Sequence, residues 1–361
     1  MSEFVRAQVV PHEERLNGGG SSARAASDHL AAEAKAAGLW GLPLPAELGG
    51  GGLLFTEYAH LAEAEGASEH GPATLGSVTL PDVTTLGEHA APAVLDHYLD
   101  GIIDGRLRVC DAHDRRNVTN DPEPHAPRAV RASDGSWELY GRAWLATDAD
   151  LILVPAGIDG PQPDHQGTSL FLLPAAAPAI GAAGRLREAT ADRWRTLILD
   201  GVTVPADHLI GRPGKGRRVL TQRSRLATLL HCLHGLGRAE QALMRMCERV
   251  RSGSGKTRGR LDLFQVHGQV FDMFLAIRTT RPVVFEAVAR MEAGLDTRLE
   301  TGLAKVATAR MLQQVTRGAA QIHSALDCGA PPSQMPATGR PACLPGAPEE
   351  SHLATVSQLL G

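Results

Sequence analysis

The sequence predicts an α+β, mainly α-helical protein whose elements follow the order helices, sheet, helices. Up to about residue 105, apolar residues recur every three or four positions, and each run closes at a glycine. From about 106 to 212, short β-rich runs alternate with Asp, Gly, Pro and Asn. Beyond that point long helical patterns return, typical of an antiparallel bundle. We therefore place three domains at residues 1–105, 106–212 and 213–361.

The first region carries three helical runs, which are SARAASDHLAAEAKAAG, FTEYAHLAEAEG and PAVLDHYLDGIIDG. The segments between them, LPLPAELGGGG and LGSVTLPDVTT, are rich in glycine or proline and are predicted to be loops. The four consecutive glycines favour a turn, and nothing in their setting indicates a phosphate-binding role. This region is therefore expected to be entirely helical between its loops.

The middle region is predicted to form a small β domain from RLRVCDAH, SWELYGRAWLA, DLILVPAG, TSLFLLPA and RTLILDGVTVP. After GRPGKG, three long helices are predicted, over residues 219–250, 264–294 and 301–326. Their lengths and short connections favour packing as antiparallel neighbours.

Composition excludes several classes of function. The net charge of −4 is spread along the chain without a long run of one sign, so we expect neither a nucleic-acid partner nor a membrane partner. The N-terminus does not resemble a signal peptide, and no apolar run reaches the roughly 18 residues of a membrane span. The five cysteines are widely spaced and lack a C-x-x-C pair, which favours reduced thiols. A cytoplasmic protein is expected.

The sequence resembles the acyl-CoA dehydrogenase family over nearly its whole length. AAGLWGLPLPAELGG followed by FTEYAHLAEAEG is similar to the first domain of that family, and SWELYGRAW followed by DLILVPAG is similar to its β domain. The phrase LILDGVTVPADHLIG, continued by HCLHGLGRAEQALMRMCERVRS, is the most specific match.

The resemblance implies an N-terminal helical domain, a middle β-barrel domain and a C-terminal four-helix bundle. It also implies a homodimer or homotetramer. The resemblance further implies an FAD-binding site that is completed by a neighbouring subunit. In this family a glutamate removes the α-proton of an acyl thioester while the flavin accepts a hydride, so the cofactor carries the redox chemistry. The high content of alanine, glycine and arginine with 4% aromatics favours a bacterial protein, and we expect a role in specialised metabolism.

The family's catalytic base lies directly before the glycine of a tail motif, and here the tail reads LPGAPEESHL. Gly346, Pro348, Glu350 and His352 keep the frame of the motif, which puts Pro345 at the position of the base. Proline accepts no proton, and loss of a general base costs roughly 10²- to 10⁴-fold in rate. The sequence therefore leaves the catalytic residue unassigned.

Two substitutes for the base were considered. Some family members carry the glutamate on the first helix of the C-terminal domain, and that position is Ala227. Glu349 and Glu350 lie close to Pro345, but they are expected on another helical face as first-turn acids that stabilise the helix. Neither alternative supplies the missing carboxylate.

On the β-domain side, the resemblance assigns Trp144 as the residue that packs beside the flavin ring. A tryptophan in a strand is, without the resemblance, more often an ordinary core residue. The family's Thr-Glu-Pro loop, which contacts the isoalloxazine, corresponds to Asp114, Arg115 and Arg116, so all three residues differ. The family has a hydroxyl residue two places after this tryptophan, and that position is Ala146 here.

On the helical side, the resemblance assigns Arg251 to a neighbouring subunit's pyrophosphate, with a solvated loop arginine as the alternative. Gln321 corresponds to the first residue of the family's Gln-x-x-Gly-Gly turn, whose backbone approaches the diphosphate. The two glycines are Ser324 and Ala325 here, and added side chains would crowd such an approach. The resemblance therefore implies FAD binding through Trp144, Arg251 and Gln321, and FAD-free function stays open.

Two further patterns do not predict a site. GSGKT lacks the first glycine and the preceding strand of a phosphate-binding P-loop. His231 and His234 flank Cys232 on an apolar helix, where packed histidines are commoner than metal ligands. No metal site is predicted.

Three functions stay open. The first is a divergent oxidoreductase acting on an acyl thioester or related acyl substrate, with ordinary α,β-dehydrogenation doubtful because of Pro345. The second is an FAD-free, non-redox catalyst, such as a cyclase or eliminating enzyme, or a binding protein on the same scaffold. The third is a flavin-dependent monooxygenase of the same fold, which needs no such glutamate.

Overall fold

A computed structural model describes residues 1–113, 126–145, 149–158, 167–177, 180–185, 195–252 and 263–326. The helices are α1 (Ser2–Phe4), α2 (Glu13–Asn17), α3 (Gly20–Ala36), α4 (Phe55–Glu65), α5 (Gly71–Thr74), α6 (Leu80–His89), α7 (Pro92–Ile103), α8 (Gly216–Ser252), α9 (Leu263–Glu292) and α10 (Arg298–Leu326). The strands are β1 (Val109–Asp111), β2 (Arg128–Arg131), β3 (Trp137–Leu145), β4 (Leu151–Ile158), β5 (Gly167–Pro174), β6 (Ile180–Arg185), β7 (Arg195–Val204) and β8 (Leu209–Ile210). The predicted fold class, α+β and mainly helical with the sheet between two helical regions, is confirmed.

The strands form one mixed sheet in the order β6-β7-β3-β2-β4-β5-β8, with β1 paired to β4. Most neighbours are antiparallel, whereas β1 and β2 both run parallel to β4. β3 and β7 share the longest ladder, from Trp137 opposite Val204 to Leu145 opposite Arg195. A register shift between Leu139 and Tyr140 interrupts this ladder. Such a bulge locally twists the strand.

One loop prediction was wrong. The segment LGSVTLPDVTT was expected to be a loop, but its second half begins α6 at Leu80. Pro81 lies in the first turn, where the missing backbone N–H costs no intrahelical hydrogen bond. Val83 and Leu86 are buried, so the helix is stabilised by packing as well as by its tolerated proline.

Contacts group the chain into two compact units. The helical unit contains residues 1–43, 51–77 and 227–361, and the sheet unit contains residues 44–50 and 78–226. α8 begins in the sheet unit and continues into the helical unit. The domain boundaries predicted at 105/106 and 212/213 stay a prediction.

The core of the sheet unit is formed by alternate residues of its strands. Leu139, Val154 and Phe171 are fully buried, and Trp137 packs edge-on against Phe171 with ring centroids 5.4 Å apart. This core buries one face of each strand. The outward residues of β1 and β3 are therefore placed on the opposite face.

In the helical unit, α4 and α8 cross at very short range. A Cβ built on Gly237 would lie 1.9 Å from the carbonyl oxygen of Glu63, and one on Gly66 would lie 2.2 Å from that of His234. Arg281 of α9 donates two hydrogen bonds to the Glu63 carboxylate, at 2.9 and 2.8 Å, and also contacts Glu240. These contacts tie α4, α8 and α9 together.

Candidate functional site

The first candidate site lies on the face of the sheet opposite its core. Cys110 and Ala112 are buried, and Ala112 belongs to the core cluster, so Asp111 and His113 point to the other side. His113 and Trp144 exchange both backbone hydrogen bonds, at 2.8 and 3.0 Å. Directly paired residues of antiparallel strands carry their side chains on the same face, about 5 Å apart. The His113 imidazole and the Trp144 indole are therefore neighbours.

Arg223, in the second turn of α8, forms ion pairs with two carboxylates beside this face. Its Nε lies 2.9 Å from Asp111 Oδ1 and 3.2 Å from Oδ2, and its Nη2 lies 2.7 Å from Asp82 Oδ1. Arg223 is 9% exposed and Asp82 is 6% exposed. The guanidinium thus joins α6, β1 and α8, and the cluster carries one more negative than positive group when all three are ionised.

Burial controls the protonation of this cluster. It raises the pKa of Asp82 to about 6, and Asp111 adds to the rise while Arg223 opposes it. Burial by itself would lower the pKa of Arg223, but the two carboxylates raise it above its ordinary value. Burial also lowers the pKa of His113, with Arg223 acting in the same direction and Asp111 against it. His113 is therefore neutral at pH 7, where its imidazole has one nitrogen able to accept a proton.

Two buried N–H groups of this site have no hydrogen-bond partner among the residues that the structure describes. They are Arg223 Nη1 and Trp144 Nε1. A buried donor without a partner costs about 1–3 kcal/mol and calls for an explanation, such as strain, water or a functional role. Trp144 as a whole is half-buried, and it lies on the outer face of the sheet.

The second candidate site is a cavity of about 350 Å³ between α9 and α10 in the helical unit. Its polar lining includes Gln269, Asp272, Arg310, Gln314 and Arg317. Arg310 and Arg317 are seven residues apart, so they share one helix face about 10 Å apart along its axis. Gln314 Nε2 donates to the backbone carbonyl of Asp272 at 3.2 Å. Two guanidinium groups and several amides can bind an anion such as a phosphate.

Gly318 shapes the same cavity. A Cβ on Gly318 would lie 2.7 Å from Met273 Sδ, so glycine allows the close packing of α10 on α9 at this position. Met273 is 1% exposed and also lines the cavity. Residues of both helices thus line this open cavity. Its volume falls within the usual range of small-molecule sites.

The predicted cofactor residues fall in different units. Trp144 lies in the sheet unit, at the site just described. Arg251 is exposed near the C-terminal end of α8, and its Nε donates to the Cys247 carbonyl at 3.2 Å. Gln321 lies in α10, one turn beyond the cavity residue Gly318. The structure does not bring Trp144 together with either of the other two within one unit, so these assignments stay predictions.

The backbone around Gln321 is helical. α10 continues through Leu326, so Ser324 and Ala325 are helical residues where the resemblance implied a glycine turn. Alanine favours a helix over glycine by about 1 kcal/mol, and serine favours it by somewhat less. Serine and alanine at positions 324 and 325, where the resemblance implied glycines, therefore fit the helical backbone of this segment.

Other predicted positions lie outside the described residues. They include Asp114, Arg115, Arg116 and Ala146 of the flavin loops, the GSGKT segment, and the tail with Pro345, Glu349 and Glu350. Ala227 is described, and it lies half-buried in α8. It carries no carboxylate.

Sequence reasoning missed Asp82, Asp111, His113, Arg223 and the cavity arginines. One signal was present, because Cys110 and Ala112 alternate with Asp111 and His113 as expected for a half-buried strand. The arginine pair had a signal in its seven-residue spacing. Asp82 had none, since its segment was expected to be a loop.

The described ranges contain neither a group of metal ligands nor a helix suited to a membrane. Within the described ranges, no three His, Cys, Asp or Glu side chains group as metal ligands. Cys110, Cys232 and Cys247 are free thiols, and burial raises the pKa of Cys232 to about 12. None of the described helices is both long and apolar enough to cross a membrane.

Comparisons with known proteins agree with this architecture. Residues 1–106 match the acyl-CoA dehydrogenase N-terminal domain, and residues 214–330 match the acyl-CoA dehydrogenase C-terminal domain. A Mycobacterium abscessus protein provisionally named an acyl-CoA dehydrogenase has a TM-score of 0.84 at 26% identity, covering 99% of this chain and 95% of its own. The structure of PigA with FAD and proline has a TM-score of 0.81 at 20% identity, covering 100% and 96%.

Among curated proteins, mouse (Mus musculus) acyl-CoA dehydrogenase family member 10 is 26% identical over 383 residues. The alignment covers 99% of this chain but 36% of the mouse protein, and family member 11 of Rattus norvegicus is covered to 49%. The chain thus spans half or less of the length of these relatives. With both family domains matched and the fold shared, the chain belongs to the acyl-CoA dehydrogenase family.

Proposed function

We propose that the protein binds FAD and an acyl thioester or related acyl substrate, and that it performs ordinary α,β-dehydrogenation poorly if at all. The observation that carries the proposal is the outer face of the sheet, where the half-buried Trp144 pairs with a neutral His113. Family membership supports the class of cofactor and substrate, and PigA is a relative by fold whose structure contains FAD. A homodimer or homotetramer and a bacterial biosynthetic role are part of the proposal.

In the sheet unit, Trp144 would pack against the flavin ring system, and its Nε1–H has no hydrogen-bond partner among the described residues. In the helical unit, considered by itself, the cavity with Arg310 and Arg317 has the charge to bind an anion such as a phosphate. A bound flavin would supply hydride acceptance, which no amino-acid side chain provides. The protein's residues would hold and orient it.

Dehydrogenation is expected to be slow because Ala227, at one of the two positions where the family carries its base, has no proton acceptor. The other base position is Pro345, whose side chain cannot accept a proton either. Proton removal from the substrate would then fall to a weaker acceptor, and the expected loss is roughly 10²- to 10⁴-fold. A flavin monooxygenase of this fold, which does not need that base, is compatible with the same residues.

A second candidate function is supported by α10. The helix runs through Gln321–Leu326, where the family resemblance implied a glycine turn close to the diphosphate. A helical backbone with Ser324 and Ala325 leaves less room for that approach. This observation favours an FAD-free, non-redox catalyst or binding protein on the same scaffold.

The visible absorption spectrum of the purified protein, before and after addition of FAD, separates the two candidates. We expect a flavin spectrum that persists after gel filtration. Failure to retain added FAD would reject the flavin proposal and favour the FAD-free scaffold. As a matched control, W144F keeps an aromatic ring but removes the Nε1–H, whereas W144A removes the ring, and only W144A should abolish binding.

A flavin-loaded protein then allows a test of dehydrogenation. Under anaerobic conditions, acyl-CoA thioesters of different chain lengths are expected to bleach the flavin slowly or not at all. Substrate binding is measured separately, as a shift of the flavin spectrum without bleaching. Fast bleaching by any thioester would contradict the limit on dehydrogenation while leaving the cofactor proposal intact.

A further inference from the structure

Residues 212–225, called the basic segment below, concentrate positive charge around the start of α8. The segment contains six of the chain's 36 lysines and arginines and no acid. Because it contributes +6 to a chain of net charge −4, the rest of the chain carries −10. Arg212, Lys215, Arg217 and Arg218 are exposed. The basic segment is therefore a strongly charged surface on an otherwise acidic chain.

The start of the basic segment is held against the sheet. Lys215 forms a bridge with Thr168 at the start of β5, and the backbone N–H of Gly214 donates to Ser169 Oγ at 2.9 Å. A Cβ on Gly216 would lie 2.7 Å from the backbone of β5. The first turn of α8 therefore presents its exposed side chains from a fixed backbone, which lowers the entropy lost when a partner binds.

The two arginines of this first turn oppose the helix dipole. Arg217 and Arg218 follow the first helical residue, and the first turn contains no acid. Positive side chains are disfavoured at a helix N-terminus, where the backbone already places partial positive charge. Neither arginine forms an ion pair with another residue that the structure describes. Local stability does not explain these two arginines, and departures of this kind are expected at functional positions.

The surface fits an acidic protein better than other anionic partners. Arg217 and Arg218 lie on the outer side of a helix, which is convex, whereas small-molecule sites are concave. The segment contains no aromatic residue on which nucleic-acid bases could stack. Its large apolar residues, Val219 and Leu220, are buried and half-buried, so they are not available for insertion into a membrane.

The basic segment also adjoins the first candidate site. Arg223 of the same helix has its Nε 2.9 Å from Asp111 Oδ1, beside the outer face with His113 and Trp144. Five residues separate it from Arg218, which is about 7.5 Å along the helix. All of these residues belong to the sheet unit. A partner covering the segment would therefore lie next to the site.

We propose that the basic segment is the docking surface for an acidic acyl carrier protein, which delivers its acyl group as a thioester on a phosphopantetheine arm. This inference rests on the acyl-thioester part of the proposed function, and it names the carrier of the acyl group. Arg212, Lys215, Arg217 and Arg218 contact the acidic face of the carrier, and the arm extends towards His113. Complementary charge orients the encounter and makes association sensitive to salt.

The first test measures binding by fluorescence anisotropy of two labelled carrier proteins, a fatty-acid carrier and a peptidyl carrier, each loaded with a butyryl group. The full chain is expected to bind and to bind more weakly at high salt. R217E/R218E should raise the dissociation constant at least about tenfold, because like charges then face one another. R6E/R24E is the matched control, since it changes exposed arginines elsewhere by the same net charge. No binding of either carrier, or equal effects of the two variants, would overturn the proposal.

A second variant separates charge from folding. Glutamate suits a helix N-terminus, so R217E/R218E should unfold thermally at or above the temperature of the wild type. R217Q/R218Q removes the two charges without reversing them, and it should raise the dissociation constant in the same direction but by less. Unchanged binding in R217Q/R218Q would reject a role for these charges.

Butyryl-CoA distinguishes the carrier protein from the phosphates of a free thioester. Its binding, measured by calorimetry, should be affected much less by R217E/R218E than carrier binding is. An equal loss would show that the segment binds the CoA phosphates and would overturn the proposal, as would tighter binding of duplex DNA or anionic vesicles than of either carrier. Binding of butyryl-CoA without either carrier would reject this inference alone. Binding of neither kind of thioester would also reject the acyl-thioester part of the proposed function.

Discussion

At the scale of single residues, the unusual feature is Arg223 between two carboxylates. A buried ion pair is weak evidence for stability, because removing its charges from water costs about as much as their attraction returns. Here one guanidinium faces two acids, so one carboxylate is in excess. Asp82 is the more buried of the two and has its pKa raised to about 6. The cluster is therefore expected to make stability depend on pH.

The first prediction concerns this pH dependence. The folded-state pKa of Asp82 lies above its ordinary value of 3.8, so the folded protein binds the proton more tightly than the unfolded chain does. Its stabilising contribution is full below the unfolded pKa and is lost as pH rises through about 6. Relative to D82N, the wild type should lose about 2 kcal/mol of unfolding free energy between pH 4.5 and pH 7.5.

Urea unfolding followed by circular dichroism at both pH values measures this difference. D96N serves as the control, because Asp96 is exposed and should show almost no such dependence. The same pH dependence in D82N as in the wild type would show that another group is responsible.

The second prediction removes the cation. R223A leaves Asp82 and Asp111 close together without a counter-charge, and breaking a buried pair from one side typically costs about 3–5 kcal/mol. The loss should be smaller at pH 4.5, where protonation of Asp82 relieves the repulsion. R218A, which changes an exposed arginine on the same helix, should change stability by less than about 0.5 kcal/mol. A loss that does not vary with pH would contradict the electrostatic explanation.

The residues of the candidate site were only partly predictable. Trp144 was found because the resemblance supplied its role, whereas Arg223 looked like one of several polar positions on a long helix. What makes Arg223 special is its burial against Asp82 and Asp111, which are 141 and 112 positions away in the chain. Local patterns carry no information about such pairs. Proximity in the fold decides them.

At the scale of secondary-structure elements, the crossing of α4 and α8 depends on Gly66, just after α4, and on Gly237, inside α8, where the local helix preference disfavours glycine. Glycine in the middle of a helix costs roughly 0.5–1 kcal/mol relative to alanine. Gly237 is nevertheless needed, because a Cβ there would lie 1.9 Å from the Glu63 carbonyl oxygen. The close approach therefore overrides the local helix preference.

The third prediction compares two glycines in helices. G237A should destabilise the protein by about 1–3 kcal/mol, because backbone rather than a movable side chain has to shift. G268A, in α9, should stabilise it by about 0.5–1 kcal/mol, since nothing lies within 4 Å of the added Cβ. Thermal unfolding of the two variants beside the wild type measures both changes. Shifts of the same sign would contradict the crossing as the cause.

The start of α6, which was wrongly predicted to be a loop, also shows that tertiary packing can override a local sequence preference. The glycine and proline of LGSVTLPDVTT predicted a loop, yet α6 begins at Leu80 and Pro81 lies in its first turn. The local pattern could not show that Val83 and Leu86 are buried by tertiary packing. The three long helices after residue 213, by contrast, were predicted because their apolar periodicity extends over many turns.

At the scale of the whole molecule, the order helices, sheet, helices was predictable because the period of the apolar pattern changes twice along the chain. Family membership was predictable from phrases such as LILDGVTVPADHLIG, and the two matched domains, which lie on either side of that phrase, confirm the family. The reaction was not, because it depends on a few positions, such as Pro345, whose correspondence to the family's site is itself a prediction. Fold is a property of the whole pattern, and function is a property of a site.

The fourth prediction asks whether the scaffold still supports the family reaction when a base is returned. Ala227 lies half-buried in α8 at the position where some family members carry the catalytic glutamate. If the protein retains FAD, A227E should accelerate anaerobic bleaching of the flavin by an acyl-CoA thioester by about 10²- to 10⁴-fold, the usual contribution of a general base.

A227Q separates the carboxylate from its bulk, because glutamine has the same shape but does not accept a proton at neutral pH. Bleaching in A227E alone, with a rate that falls as the new carboxyl is protonated at low pH, would show that only the base is missing. Equal rates in A227E and A227Q would instead show that substrate and flavin are not placed for proton removal. If the protein also retains FAD, this outcome would show that the missing carboxylate does not limit the reaction. The placement of the substrate would then be the limiting feature.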